Sequence, residues 1–390
     1  MTHYRSVGEV PRKRHTQHRN PEGGLYYEEL VGEEGFSSDS SLLYHRNIPA
    51  AVTDVRPWAG PDLCTTPNIP LKARHLKTHD LPAADDTVTG RRVLLGNADV
   101  RLSYAAATGA SPLYRNAIGD ECAYVESGGG TLETMFGALS VGAGDFVVIP
   151  RGTVHRWSPA GDEPLRTFIV EGAAHITPPK KYLSAHGQLL ENAPYCERDL
   201  HGPTSLLDVD GSGVDVYVKH RAGDGAVGGT VMTYKTHPFD VVGWDGCLYP
   251  YTFSIHDFEP ITGRIHQPPP VHQVFESAGF VMCVFVPRKV DYHPQAIPVP
   301  YYHSNVDSDE VLFYAGGDYA ARKGSGIGLG SVSLHPGGTP HGPQPGAYER
   351  SIGVTEVDEL AVMVDTFRPL GLGAAATDCE DPEYFRSWAR

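Results

Sequence analysis

The chemistry of this 390-residue chain gathers in YYHSNVDSDEVLFYAGGD, Tyr301 to Asp318, where a histidine, an asparagine and four acidic residues sit among apolar runs. Imidazole and carboxylate groups this close either solvate a turn or hold a metal ion, because both supply the lone pairs that first-row metals take. An earlier stretch follows the same plan: YRNAIGDECAYVESG leads to GDFVVIPRGTVH, as HSNVDSDEVLFYAGG leads to GSVSLHPGGTPH. In each copy Asn precedes Glu by five residues (Asn116 and Glu121; Asn305 and Glu310), and Gly follows Glu by seven (Gly128; Gly317). Gly then precedes Pro by six (Gly144 and Pro150; Gly330 and Pro336), and P-x-G-x-x-H closes the block at His155 and His341. Two ordered blocks about 190 residues apart mark a duplicated folding unit.

The elements that must position these residues read as strands. DVYVKH (Asp215 to His220), TVMTYK (Thr230 to Lys235), FVMCVFV (Phe280 to Val286) and DFVVIP (Asp145 to Pro150) are β-branched or aromatic runs bounded by turn residues. Helical periodicity is scarce, and short helices are expected only around Leu25 to Leu30 and at Asp381 to Arg390. The 44 Gly and 32 Pro are scattered, as many turns between short strands require. An all-β class follows, with two related barrels.

The spacing is also similar to that of the cupin family, a double-stranded jelly roll whose two motifs put ligands on paired strands facing the barrel interior. At the matching positions the second copy carries His303, Asn305, Glu310 and His341. His303, Glu310 and His341 then form a two-histidine, one-carboxylate set with open positions, the arrangement of non-haem Fe(II) oxygenases. Asp307 and Asp309 read as solvated turn residues. The first copy has Tyr114 where the second has His303, leaving Tyr114, Glu121 and His155. A phenol with an ordinary pKa near 10 is a poor ligand at neutral pH, so the first barrel is expected to be metal-free.

The resemblance extends further. PYYHSN (Pro300 to Asn305), SLHPGGTPHGP (Ser333 to Pro343), HPFDVVGWDGCLYPYTFSI (His237 to Ile255), SLLYHRNIPAAV (Ser41 to Val52) and GTLETMFG (Gly130 to Gly137) resemble the homogentisate 1,2-dioxygenase family. That resemblance implies Fe(II), O2 and opening of the homogentisate ring to maleylacetoacetate in tyrosine and phenylalanine degradation, by a trimer-based homo-oligomer. It also implies a base at His272, a second catalytic and substrate-contacting histidine at His335, and a substrate contact at Tyr319. His266 competes with His272, because IHQPPPVHQ rewrites the family's loop. Arg46, Arg288 and Arg322 are the candidate cations for a substrate carboxylate.

On this reading residues 1–95 form a β-rich extension packed on the barrels, 96–200 the metal-free barrel, 201–255 a connecting β segment, 256–370 the catalytic barrel and 371–390 a tail. A net charge of −15 argues against general nucleic-acid binding. Six dispersed cysteines without CxxC, no apolar leader and no run of 18 apolar residues read as a cytoplasmic protein without a membrane partner. A dioxygenase for a related hydroxylated ring, a non-catalytic bicupin and a Mn or Ni cupin are the competing readings. The last usually keeps four ligands, and its second histidine is Asn305 here.

Overall fold

Each strand named above forms, within Asp145–Ile149, Ser212–Arg221, Val227–Thr236 and Phe280–Phe285. The computed structural model describes residues 3–221 and 227–389, so positions 1, 2, 222–226 and 390 of the segments drawn above lie outside it. An eight-stranded and a seven-stranded sheet enclose the first barrel, and a six-stranded sheet forms the main wall of the second.

Period-two alternation sorts the side chains. In Glu121–Ser127, Ala123 and Val125 point into the first barrel beside Trp157, while Cys122 and Tyr124 point out into a core shared by both barrels. In Asp309–Gly317, Leu312 and Tyr314 point into the second barrel, and Val311 and Phe313 point out. The outward faces meet: Phe168 and Phe313 stack at 4.8 Å and 6°. Glu121 and Glu310 share the inward parity, so the duplicated glutamates look into their own barrels.

The repeat is also visible in the backbone. Gly128 and Gly317 (φ 75° and 77°), and Gly152 and Gly338 (φ 85° and 74°), take left-handed conformations in both copies. Only glycine does this without strain, which explains its place at each turn.

The segments cross over in space. Arg74–Lys77 adds an edge strand to the second barrel beside Ser331–His335, whereas Arg92–Gly96 and the late Gly371–Gly373 extend the eight-stranded sheet of the first. Ser212–Arg221 runs parallel to Leu113–Asn116 and so completes the first barrel.

The helix expected at Leu25 to Leu30 is instead the strand Tyr27–Gly32, paired antiparallel with Ser40–His45 so that Leu30 faces Leu42. Local helix formers yield here to pairing with a strand whose Leu42, Leu43 and Tyr44 are buried. The C-terminal segment does form a short 3-10 helix, Tyr384–Ala389. No helix among the described residues is long and apolar enough to cross a membrane.

Candidate metal centre

His303 and His341 are brought together by a two-residue bridge in which each backbone N–H donates to the other's carbonyl at 2.9 Å. Glu310 rises between them from the start of its strand. His303 Nε2 lies 3.4 Å from Glu310 Oε2, and His341 Nε2 lies 3.4 Å from Oε1. The edge of a tetrahedron of ligands ~2.1 Å from a metal is about 3.4 Å. His341 Nε2 is buried and makes no hydrogen bond, so it points at a shared centre and not at a partner. The donor set therefore fits a divalent metal. Burial alone would raise the Glu310 carboxyl, but hydrogen bonds from His303 and His335 and the neighbouring His341 ring hold it well below the usual carboxylate range. Asp309, expected as a solvated turn residue, is buried instead. Its carboxylate accepts the Gly337 and Leu370 N–H groups at 2.8 Å each, pinning the turn before His341.

His335 sits behind this set and does not reach the cavity. Fully buried, it lies opposite Glu310 in the paired strands, stacks on His341 at 4.6 Å and places Nδ1 2.8 Å from Glu310 Oε1. Tyr384 Oη, 3.2 Å away, faces its Nε2. Tyr384 and Trp388, four residues apart in the C-terminal helix, back the centre, and the Trp388 indole donates to the Gly342 carbonyl at 3.1 Å. The segment expected to be a tail thus backs the site, and the aromatic residues at helical spacing in YFRSW are the signal for it in the sequence.

A cavity of about 240 Å³ opens onto His303, Asn305 and Glu310. Its walls include His266, His272, Phe285, Arg288, Leu312 and Met363. His272 packs on Phe285 at 4.9 Å, and burial, then the Arg288 charge, push it down to about 3. His266 is half exposed, with Nδ1 3.3 Å from Asp291 Oδ2 and its ring against Tyr301, whose other neighbour is His303. Arg288 is shared between Glu359 at 3.3 Å and the Val286 carbonyl at 3.0 Å. Arg322 also lines the cavity but is committed to Tyr314 Oη at 3.0 Å and the Gly342 carbonyl at 2.7 Å. Arg46 pairs with Asp208 at 2.8 Å and is not among the wall residues. Tyr319 packs edge-on against Tyr314 at 5.0 Å, beside the wall and not in it.

Asp365 belongs to no motif of the sequence. It lies directly across from Glu310 in the neighbouring strand, lines the cavity, and accepts from Asn305 Nδ2 at 3.2 Å. Burial, then the Glu310 charge, raise it to about 7. Asn305, at the cupin second-ligand position, is thus turned to Asp365.

The first barrel holds protein cations at the equivalent place. Arg91 bridges Glu121 and Glu171 at 2.7 and 2.8 Å, and Lys219 also pairs with Glu171. Tyr114 stands beside His155 with the Arg91 guanidinium over its ring. Burial, then the Glu121 charge, raise the Tyr114 phenol well above its ordinary value. Burial likewise drops His155 to about 4.

These two barrels, joined through one core, define a bicupin. The cupin domain family matches residues 102–171, and the homogentisate 1,2-dioxygenase C-terminal family matches residues 266–390. The chain is 39% identical over 392 residues to a "Putative dioxygenase" of Saccharolobus solfataricus, covering 100% of this chain and 99% of that protein. It is 28% identical over 403 residues to the homogentisate 1,2-dioxygenase of Rhodopseudomonas palustris strain BisA53, covering 94% and 86%. A solved cupin 2 conserved barrel domain protein from Leptotrichia buccalis aligns over 76% of this chain and 97% of its own, at 8% identity and a TM-score of 0.31. The chain belongs to the family of the Saccharolobus "Putative dioxygenase", a family of cupin dioxygenases.

Proposed function

We propose that this protein is an Fe(II)-dependent ring-cleaving dioxygenase that opens homogentisate with O2 to maleylacetoacetate, both oxygen atoms being retained in the product. The observation carrying this reading is the convergence of His303, Glu310 and His341 at 3.4 Å spacings, with one side open to a cavity. Iron held there would supply adjacent positions for a substrate oxygen and for O2.

The remaining work falls to the chain's own residues. At about 240 Å³ the cavity is smaller than the roughly 300–1,000 Å³ sites of drug-sized ligands, and it suits a single ring against Phe285, Leu312 and Met363. Arg288 is the less committed of the two cavity arginines and is assigned the substrate carboxylate. His335 donates from Nδ1 to Glu310 and orients the carboxylate, and Tyr384 in turn donates to its Nε2.

A substrate phenol must lose its proton to bind as phenolate. The sequence favours His272 for this, but a group held down to about 3 is a weak proton acceptor. His266 is half exposed, lines the cavity and packs on Tyr301 beside His303, so the base is assigned to His266, and His272 to the apolar wall.

The test is oxygen uptake by anaerobically Fe(II)-loaded protein with homogentisate, gentisate and 2-hydroxyphenylacetate in parallel. Selective uptake with homogentisate and formation of maleylacetoacetate is expected. Uptake with another ring alone would reassign the substrate, and iron-loaded protein inert to all three would remove the activity.

A further inference from the structure

A second convergence of ligand atoms lies outside the catalytic barrel's cavity. Glu33 immediately follows Tyr27–Gly32, Asp120 immediately precedes Glu121–Ser127, and His175 follows Leu165–Gly172. Their donor atoms all lie within 4.8 Å of one another. His175 Nδ1 is 3.1 Å from Glu33 Oε1 and 3.7 Å from Asp120 Oδ1. These separations bracket the about 3.4 Å edge of a tetrahedral ligand set.

The distances alone would describe an ion pair. The direction of the imidazole does not: His175 Nδ1 is a fully buried atom, yet it makes no hydrogen bond to either carboxylate. His341 Nε2 shows the same combination in the catalytic barrel, at 3.4 Å from Glu310 and equally without a hydrogen bond. Asp120 accepts the Arg151 N–H at Oδ1 (2.8 Å) and the Ile176 N–H at Oδ2 (2.9 Å), which holds its carboxylate still and leaves each oxygen a lone pair. Asp39, whose carbonyl accepts the Glu33 N–H at 2.9 Å, adds a third carboxyl nearby, and its own is raised by burial.

We propose that Glu33, Asp120 and His175 form a second divalent-metal site, of the Zn(II) or Mn(II) class, that staples the N-terminal extension to the first barrel. One imidazole and two carboxylates suit borderline first-row ions, and water completes the coordination. The site joins three segments distant in sequence, so occupancy stabilises the fold by mass action. Its role is structural, because it shares no residue with the catalytic centre.

The rival occupant is a proton, since hydrogen bonding to Asp120 and Glu33 would hold His175 up to about 10. Metal uptake separates the two. The metal-free full-length protein is dialysed against Zn(II), and bound metal per chain is measured for wild type, His175→Gln and Glu33→Gln. The expected result is two ions in wild type and one in each variant. As a second readout, Zn(II) should raise the melting temperature of Glu310→Ala but not of Glu310→Ala/His175→Gln. One ion in wild type, His175→Gln and Glu33→Gln alike, with no Zn(II)-dependent shift in Glu310→Ala, would overturn the site and leave the ion pair. One ion in wild type and none in His175→Gln would uphold this site and count against the catalytic one.

Discussion

Glu310 and His335 face each other across two paired strands, and the 2.8 Å contact from His335 Nδ1 to Glu310 Oε1 points the carboxylate at His303 and His341. The orientation is fixed from behind, by Tyr384 on the far nitrogen of the same ring. The C-terminal helix, remote in sequence, therefore helps set the geometry of the metal centre.

Removing any donor should empty that centre. His303→Ala, Glu310→Ala and His341→Ala are expected to lose bound Fe(II) and oxygen uptake while keeping the wild-type circular dichroism spectrum. Iron retained at wild-type affinity in one of them would exclude that residue as a ligand. Tyr384→Phe, which removes only the contact behind His335, should weaken iron affinity by about 10- to 100-fold.

The two cavity histidines separate kinetically. His266→Ala should lower kcat by about 10²–10⁴ with iron content unchanged, as loss of a general base does. His272→Leu replaces a neutral ring packed on Phe285 and should leave kcat within a few-fold. The reverse pattern in steady-state kinetics would return the base to His272.

Arg288→Gln tests the carboxylate contact. A charge-assisted hydrogen bond contributes ~1.5–3 kcal/mol, so KM for homogentisate should rise by about 10- to 100-fold. An analogue lacking the carboxylate should show the same KM with both proteins, and unequal values would count against the assignment.

The first barrel should be sensitive to loss of Arg91 and indifferent to loss of a potential ligand. Arg91→Met strands Glu121 and Glu171 in the interior with Lys219 as the remaining cation beside the Asn116 amide, at a cost of about 3–5 kcal/mol in denaturant unfolding. His155→Ala should leave the Fe(II) content of the protein unchanged. A fall in that content would mean that the first barrel holds metal.

His45 makes stability depend on pH. Hydrogen bonds from its ring to Asp240 at 2.7 Å and Glu29 at 3.0 Å outweigh burial and raise its pKa to about 9. Because the folded value lies above the unfolded value of about 6.5, this contribution is complete below pH ~6.5 and fades as pH rises through about 9. Its size is ~3 kcal/mol at most, from a shift of about 2.5 units at 1.36 kcal/mol each. Unfolding of wild type and His45→Gln, compared at several pH values, should show a gap that narrows between these limits. A constant gap would show that His45 stays neutral in the fold.

The sequence by itself determined what is local and periodic. Alternation in DEVLFYAGG decides that Glu310 faces inward with Leu312 and Tyr314, and the repeated glycines decide where each barrel turns. Tyr114 in place of a histidine marks the barrel expected to lack metal. What the tertiary structure decided depends on contacts between distant segments, which no window of sequence contains. Only pairing with Ser40–His45 makes a strand of Tyr27–Gly32. Only the packing of the C-terminal helix puts Tyr384 behind His335, and only the crossed sheets lay Asp365 beside Glu310 and insert Arg91 and Lys219 between buried glutamates. A side chain's chemistry is legible from its type, but its charge and role follow from burial and neighbours, and these exist only once the chain has folded.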